Sequence, residues 1–419
     1  MEVVPPVRKC WRTAIVTEHV RVAVIGGGIV GCSILYHLAR QGWTESLLLE
    51  RGQLTAGSTW HAAGNVTHFG HYTRMTRLYA DSIRSYLEAE AETGYDVGFH
   101  RTGSLRLATT PRELSDYTSL ALSYRQLGIR YSVVDPGRAL ALHPLLDPGG
   151  LHGAAHTPDD GHVDPSAATH AMARAARQRG TRIVTGVPAL SLRKTRQGEW
   201  EIATPGDNVL CEHVVLANSF WAREFVLPLG LSLPLYALEH HEIITGPVAE
   251  LERTGFELPT VRDPDGPANV RQEGGGLLCG VYESNPKPWA LDGIPSGFGG
   301  ELLESDLDRL HPHLSRVARR IPAFAEAGIK TVNNGPICYT PDGLPLLGPV
   351  DSHPGLWLAT GFCVGIGTGG GSGRYLAEWM AKGRPPYELP EIRPSRFPAA
   401  MERDECVRKI VRTYARGYR

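Results

Sequence analysis

The stretch "RVAVIGGGIVGCSILYHLARQG" (21–42) constrains the fold more than any other part of the 419-residue chain. Residues 21–25 read as a short buried strand. Gly26, Gly28 and Gly31 then form G-x-G-x-x-G, and the residues after them are apolar at helical spacing, with Gly42 as a stop signal. Such glycines allow a tight turn, let the backbone approach a pyrophosphate and let helix and strand pack closely, with the helix N-terminus facing the anion. A second apolar strand, "ESLLLERG", carries Glu50 at its end, 19 residues past Gly31. A carboxylate there accepts hydrogen bonds from an adenosine ribose and disfavours a 2′-phosphate, so FAD or NAD is expected rather than NADP.

The bulk numbers exclude several classes. Hydrophobic residues make up 42% and charged residues 21%, an ordinary globular composition. The net charge of −1 offers no global attraction for nucleic acid or an anionic membrane. The seven cysteines are scattered and form no C-x-x-C pair, which argues against a disulfide framework or structural zinc and for a reducing compartment. The most membrane-like stretch, "VAVIGGGIVGCSILY", is too short and glycine-broken to span a bilayer. No secretory h-region precedes it. No metal, nucleic-acid partner or membrane span is expected, and the location is cytoplasmic, or the mitochondrial matrix in a eukaryote.

Elements of a nucleotide domain recur at the start, middle and end. Helical patterns cover 73–92, 111–128, 164–179 and 304–320, with a strand-rich region over 235–285. The reading is an α/β fold: a discontinuous, Rossmann-type, three-layer FAD-binding domain (21–90, 150–232 and 328–385) with an inserted antiparallel-sheet substrate domain (91–149 and 233–327). Residues 386–419 read as a basic C-terminal tail, either a solvated helix or a docking element. The late run "TGFCVGIGTGGGSG" (360–373) reads as a glycine turn between a strand and the helix "RYLAEWMAKG". A second backbone-lined turn suits a flavin, because it supplies N–H donors to the ring carbonyls.

The stretches "LLLERGQLTAGSTWHAAG", "GFHRTGSLRLATT", "DGHVDPS", "VVLANSFWAREF" and "GIKTVNNGPICYTPDGLPLLGP" span most of the chain. Through them the sequence resembles the D-amino-acid-oxidase and glycine-oxidase superfamily, and within it the flavin domain of dimethylglycine and sarcosine dehydrogenases. The resemblance implies covalent FAD through His61, in a loop whose small residues Ala62, Ala63 and Gly64 lie close to the flavin, with Ser58, Thr59 and Arg51 nearby. It extends the cofactor set to Val187, Asn218, Trp221, Asp342, Gly361, Gly365, Ile366 and Gly367. Cys338 is a weaker candidate for attachment than His61.

It also implies hydride removal from an N-methyl carbon of a small amino acid to flavin N5, giving an iminium and then formaldehyde. His240 and Arg271 are the implied catalytic residues, and His241 should face away if this segment is a strand. Arg74 is a second candidate for a substrate carboxylate, and His68, His71 and Tyr72 are candidates for the pocket. Two positions depart from the pattern: Asn269 stands where relatives carry tyrosine, and Glu242 follows the histidine pair where tyrosine is frequent. The electron acceptor is expected to be oxygen, an electron-transfer flavoprotein or a quinone. The dehydrogenases continue into a tetrahydrofolate-binding half, so 386–419 reads as the start of a missing domain, through a gene split or truncation, or with a separate folate-binding subunit as partner. Two alternatives remain: a weakly catalytic regulatory protein resembling the regulatory subunit of pyruvate dehydrogenase phosphatase, and a deaminating amino-acid oxidase.

Overall fold

The computed structural model describes residues 18–69 and 73–417. Its first sheet has the order Leu346–Pro349, Leu356–Thr360, Val209–Leu216, Glu18–Ile25, Ser46–Glu50 and Arg182–Thr185. All neighbours run parallel except the first pair. A hairpin, Ser191–Lys194 with Trp200–Ala203, adds to Val209–Leu216. Where they are buried on both faces the central strands carry continuous apolar runs, Val22–Ile25, Leu47–Leu49 and Val214–Leu216, as a covered parallel sheet requires. Alternate side chains then divide between two cores. Val22, Val24 and Leu48 pack against a helical layer, while Ala23, Ile25, Leu47 and Leu49 pack towards the hairpin and Trp200.

The second sheet is led by Tyr236–Thr245, Gly276–Val281, Ala268–Glu273, Thr260–Asp263, Ser104–Ala108, Gly153–Thr157 and Ser132–Val134. Its pairings are antiparallel except for Thr260–Asp263 with Ser104–Ala108. Two strands lie outside the expected segments of this sheet. Gly153–Thr157 hydrogen-bonds to Ser104–Ala108, and Ile329–Tyr339 pairs along the length of Tyr236–Thr245. Domain limits near 150 and 328 therefore fall too early. Neither strand carries a sequence signal for the sheet it joins, because a strand's partner is decided by long-range pairing.

The glycine run corrects a second expectation. The turn is confined to residues 361–364; the glycines from 365 to 373 lie inside a single helix, Gly365–Lys382. Glycine costs about 1 kcal/mol relative to alanine within a helix, and contact explains its use here. A Cβ at Gly373 would lie 2.1 Å from Ser33 Oγ, at Gly371 2.0 Å from the Leu78 carbonyl oxygen, and at Gly370 2.8 Å from the Ser82 carbonyl oxygen. The helix thus lies backbone-to-backbone against Ile29–Arg40 and Thr73–Thr93. Ser33 Oγ donates to the Gly370 carbonyl at 2.9 Å, and the Gly371 amide donates to Ser82 Oγ at 2.8 Å.

The C-terminal segment corrects a third. The helix Arg403–Ala415 buries Cys406, Ile410 and Tyr414 against Tyr236, Leu238, Tyr282 and Tyr339 of the second sheet. It is neither solvated all round nor detached. Among the described residues every cysteine is free, and no helix is long and apolar enough to cross a membrane.

Gly371→Ala is expected to lower stability by about 1–3 kcal/mol or more, since a methyl group would be forced into backbone. Gly275→Ala, with nothing within 4 Å of its added Cβ, serves as the control. Thermal melts of the two variants decide it; equal melting temperatures would contradict the packing account.

Candidate functional site

A cavity of about 620 Å³ runs from the C-terminal ends of the parallel strands, past the 56–65 loop, to the second sheet. This is the size range of ligand and cofactor sites. At one end Gly26, Gly27 and Gly28 form the turn, and the helix starting at Ile29 presents its N-terminal end to the cavity. Gly26 has φ +112°, and a Cβ there would strike the Ala217 carbonyl oxygen at 2.6 Å. Glu50 is clamped, its two oxygens accepting from the Gly27 and Gly52 amides at 2.7 Å each. Thr59 Oγ1 accepts the Ile29 amide at 3.2 Å, which joins the loop to the helix N-terminus.

The loop then carries His61 along the wall. Ser58 Oγ donates to the Pro336 carbonyl at 2.8 Å, and Gly64 (φ +76°) leaves room for the Val163 carbonyl. The imidazole lies over Gly335 of strand Ile329–Tyr339, where a Cβ would come within 2.2 Å of the ring. Burial pulls the His61 pKa down to about 4, so the imidazole is neutral with a nitrogen lone pair available near pH 7.

The far end holds His240, Glu242, Asn269 and Tyr282. His240 lies on the cavity wall. Its neighbour His241 is buried on the other face, with Nδ1 3.3 Å from Glu283. Strand alternation therefore separates the pair as expected. His240 Nδ1 is 2.8 Å from the Tyr414 hydroxyl, which also lies 3.3 Å from the Val281 carbonyl. A carbonyl can only accept. Both bonds are satisfied when Tyr414 donates to Val281 and accepts from Nδ1–H, which leaves the Nε2 lone pair as the free acceptor of the ring. Burial, then the charges of His241, His61 and Arg262, lower the His240 pKa to about 3. Burial raises the Glu242 carboxyl to about 8, against the pull of Arg271 and the Ala63 amide.

Most expected cofactor residues line this cavity: Gly26, Gly28, Glu50, Arg51, Ser58, Thr59, His61, Ala62, Ala63, Gly64, Asn218, Trp221, Gly365, Ile366 and Gly367. Four do not line it, and each has another task. Gly31 lets the helix approach the turn, since its Cβ would lie 1.9 Å from the Gly26 carbonyl oxygen. The Val187 amide donates to the Glu50 carbonyl at 3.0 Å. Gly361 has φ +76°, and Asp342 holds a turn by accepting from Thr340 Oγ1 and the Leu344 amide while pairing with Arg396 at 2.8 Å.

Arg271 is also absent from the wall formed by the described residues. Its Nε donates to the Ala63 carbonyl at 2.8 Å and its guanidinium pairs with Glu273 at 2.5 Å, so it props the His61 loop. Arg74 is exposed beside Glu391 at 3.2 Å. His68 is held by Asp160 at 2.6 Å, and Cys338 is buried off the wall. His71 and Tyr72 lie outside the described residues. Sequence reasoning missed Tyr414, Gly335, Tyr282 and Asn333. Asn333 and Gly335 lie within a stretch that carries the resemblance but no signal of a site role, and all four reach the site through sheet pairing or helix docking.

A glycine-turn nucleotide unit opening along its strand ends onto a histidine loop and an antiparallel sheet is the build of a dinucleotide-dependent oxidoreductase. Comparison agrees: the FAD dependent oxidoreductase family matches residues 21–379, and the chain belongs to that family. It is 40% identical over 385 residues to mouse mitochondrial dimethylglycine dehydrogenase, covering 91% of this chain and 44% of that protein. It is 35% identical over 382 residues to the formaldehyde-forming 4-methylaminobutanoate oxidase of Paenarthrobacter nicotinovorans, covering 90% of this chain and 46% of that protein. The chain thus spans less than half the length of these relatives. The L-proline dehydrogenase of P. horikoshii shares the fold, with a TM-score of 0.79 at 24% identity over 91% of this chain and 98% of that one.

The cavity fits FAD on its own chemistry. Asn65 Oδ1, Asn218 Oδ1 and Trp221 Nε1 are buried on its wall with no hydrogen-bond partner, and such groups are costly unless a ligand meets them. The N-terminal turn of the glycine helix, Gly365–Gly367, also lines the wall and offers a positive dipole end.

Two expectations follow. Tyr414→Phe keeps the ring but loses the hydroxyl, and should lower kcat by about five- to thirtyfold, the effect of 1–2 kcal/mol, with KM changed less. Steady-state kinetics checks it, and an unchanged kcat would deny Tyr414 a part in the reaction. Glu242 binds its proton more tightly in the folded chain than in the unfolded one. Stability should therefore fall as pH rises from the ordinary glutamate range towards about 8, and Glu242→Gln should flatten that slope in melts taken across this window.

Proposed function

We propose that this chain oxidises the N-methyl group of a small secondary or tertiary amino acid, with FAD covalently attached through His61. The position of His61 carries the reading: a neutral imidazole, seated over Gly335 between the nucleotide end and the His240 end of one cavity. Support for the substrate class comes from the names of the relatives, one a dimethylglycine dehydrogenase and one a formaldehyde-forming oxidase of a methylamino acid.

When bound, FAD would accept a hydride from the N–CH carbon and leave an iminium that hydrolyses to formaldehyde. The residues of this chain bind and orient the reactants. Glu50 would hold the ribose, and the helix N-termini at Gly28 and Gly365 would face the phosphates and the flavin. His240, neutral with Nε2 as acceptor, would take a hydrogen bond from the N–H of the arriving ammonium, and only after that proton has left can the neighbouring carbon give up the hydride. Glu242 would accept the amine proton when ionised.

The substrate carboxylate needs a cation, and neither Arg271 nor Arg74 presents one to the cavity. A smaller cavity of about 90 Å³ shares Asn65, Asn269 and Val364 with the main one and is lined by Arg106 and Arg262. Arg262 donates to Asn269 at 2.6 Å and lies 4.8 Å from the centre of the Tyr282 ring. We assign the carboxylate to this end. Oxygen, an electron-transfer flavoprotein or a quinone would reoxidise the flavin, and the iminium would pass to water or to a folate-binding partner. The location we favour is the mitochondrial matrix in a eukaryote and the cytoplasm in a bacterium.

Acid-denatured protein is expected to retain yellow colour and flavin mass on the peptide containing His61, and His61→Ala to release it. Anaerobic mixing of native protein with dimethylglycine, sarcosine or 4-methylaminobutanoate should bleach the flavin, with formaldehyde as product. Free flavin in the supernatant would refute the attachment. Ammonia in place of formaldehyde would shift the chain to a deaminating oxidase.

A further inference from the structure

Outside the cavity, three side chains with metal-ligating atoms meet at the junction of the two sheets. His100 precedes strand Ser104–Ala108, His162 lies in the short strand Gly161–His162, and Glu257 precedes strand Thr260–Asp263. Glu257 Oε2 is 2.7 Å from His100 Nδ1, and its Oε1 is 2.9 Å from His162 Nε2. One ligand atom from each residue lies within 4.8 Å of the others.

The backbone sets this arrangement before any side chain is placed. The His100 amide donates to the His162 carbonyl at 2.9 Å, and the His162 amide returns to the His100 carbonyl at 3.1 Å. Gly161 permits the approach, since a Cβ there would strike the His100 carbonyl oxygen at 1.9 Å. The two imidazoles therefore stack, 4.7 Å apart and inclined by 10°. The carboxylate faces both. His162 is buried, Glu257 half-buried and His100 exposed, so the group opens to water on one side only.

From this geometry we infer a divalent transition-metal site, of the zinc class, held by His100, His162 and Glu257. Two imidazole nitrogens and one carboxylate oxygen are the donor set of a borderline ion such as Zn²⁺, Co²⁺ or Ni²⁺, whereas Mg²⁺ and Ca²⁺ demand oxygen. Tetrahedral zinc at about 2.0–2.2 Å from each donor separates them by about 3.4 Å. The three donors now lie within 4.8 Å of one another, so the exposed His100 ring and the Glu257 arm would draw in to meet that spacing. Neutral imidazoles bind without losing a proton: each shifts its N–H to the far nitrogen and offers the facing lone pair. Water completes the coordination on the side of His100.

The ion would act on position rather than on chemistry, for none of its ligands lines the cavity. His162 pairs with Asn65, the residue after Gly64 of the flavin loop. Glu257 and His100 lead into the parallel strand pair of the second sheet. The ion would therefore tie the loop that carries His61 to the sheet that carries His240.

The test uses untagged, chelator-treated protein with its flavin in place, titrated with Zn²⁺ by calorimetry and with Co²⁺ by visible absorption. About one equivalent should bind, with a Co²⁺ spectrum of low-symmetry N/O ligation and a rise of a few degrees in melting temperature. His100→Gln, at an exposed position that tolerates change, and Glu257→Gln should each weaken binding about tenfold or more and abolish the rise. No saturable binding of either ion, or binding that both variants retain unchanged, would overturn the site and leave the three residues as a hydrogen-bonded cluster.

Discussion

Everything in this molecule is built around a backbone-to-backbone contact between the helix Ile29–Arg40 and the helix Gly365–Lys382. The two are separated by more than three hundred residues of chain, yet glycines at 369 and 373 let their axes come closer than side chains normally allow, while Gly370 and Gly371 do the same against Thr73–Thr93. Both helices start at the same cavity. The first presents its N-terminus from Gly28, and the second from Gly365. Two positive dipole ends are thereby fixed side by side over one cavity. A spacing set by side chains would part them and widen the cavity between. The loss of helix propensity from these glycines is offset by the two helix contacts and by the hydrogen bonds that cross them, Ser33 on one side and Ser82 on the other.

The same contact marks the limit of what the sequence reveals. The phosphate turn is local: strand, glycines, helix and Glu50 lie within thirty residues, each carrying its own signal, and all fall where pattern and spacing put them. The glycine run carries the signal of a turn, because locally nothing favours a helix there. Only its partners Ser33, Leu78 and Ser82 make glycine the better choice, and they are distant in sequence. Strand Ile329–Tyr339 and Tyr414 are invisible for the same reason. Gly335 looks like any glycine until the ring of His61 lies on it, and Tyr414 sits in a basic segment that reads as solvated until its helix docks.

Burial, rather than ion pairing, governs the electrostatics of the site. His61 and His240 are both driven neutral by desolvation, so each acts as a nitrogen lone pair and not as a cation. Arg271, which could have answered for charge, turns away and spends its donors on Ala63 and Glu273. That choice links the loop to the substrate sheet: the carbonyl it grips belongs to the residue whose amide bonds to Glu242. The loop is thus held from the sheet side by Arg271, from the helix side by Thr59 and from below by Ser58.

The balance of charge at the substrate end bears on how an N-methylated amino acid would react there. Such a substrate arrives as a zwitterion, yet its amine must lose a proton before the carbon can give up a hydride. Arg106 and Arg262 are buried cations beside the cavity, His240 contributes no charge, and Glu242 is neutral through most of the physiological range. A carboxylate is therefore welcomed where an ammonium is not. Binding the zwitterion by its carboxylate would bring its ammonium into a region that disfavours positive charge, and lower the cost of losing the proton. The asymmetry would reach the same end as a strong base, without requiring one: under the proposed function the field of the site would select the reactive form of the amine, and Glu242 would need only to receive the proton as its own pKa is approached.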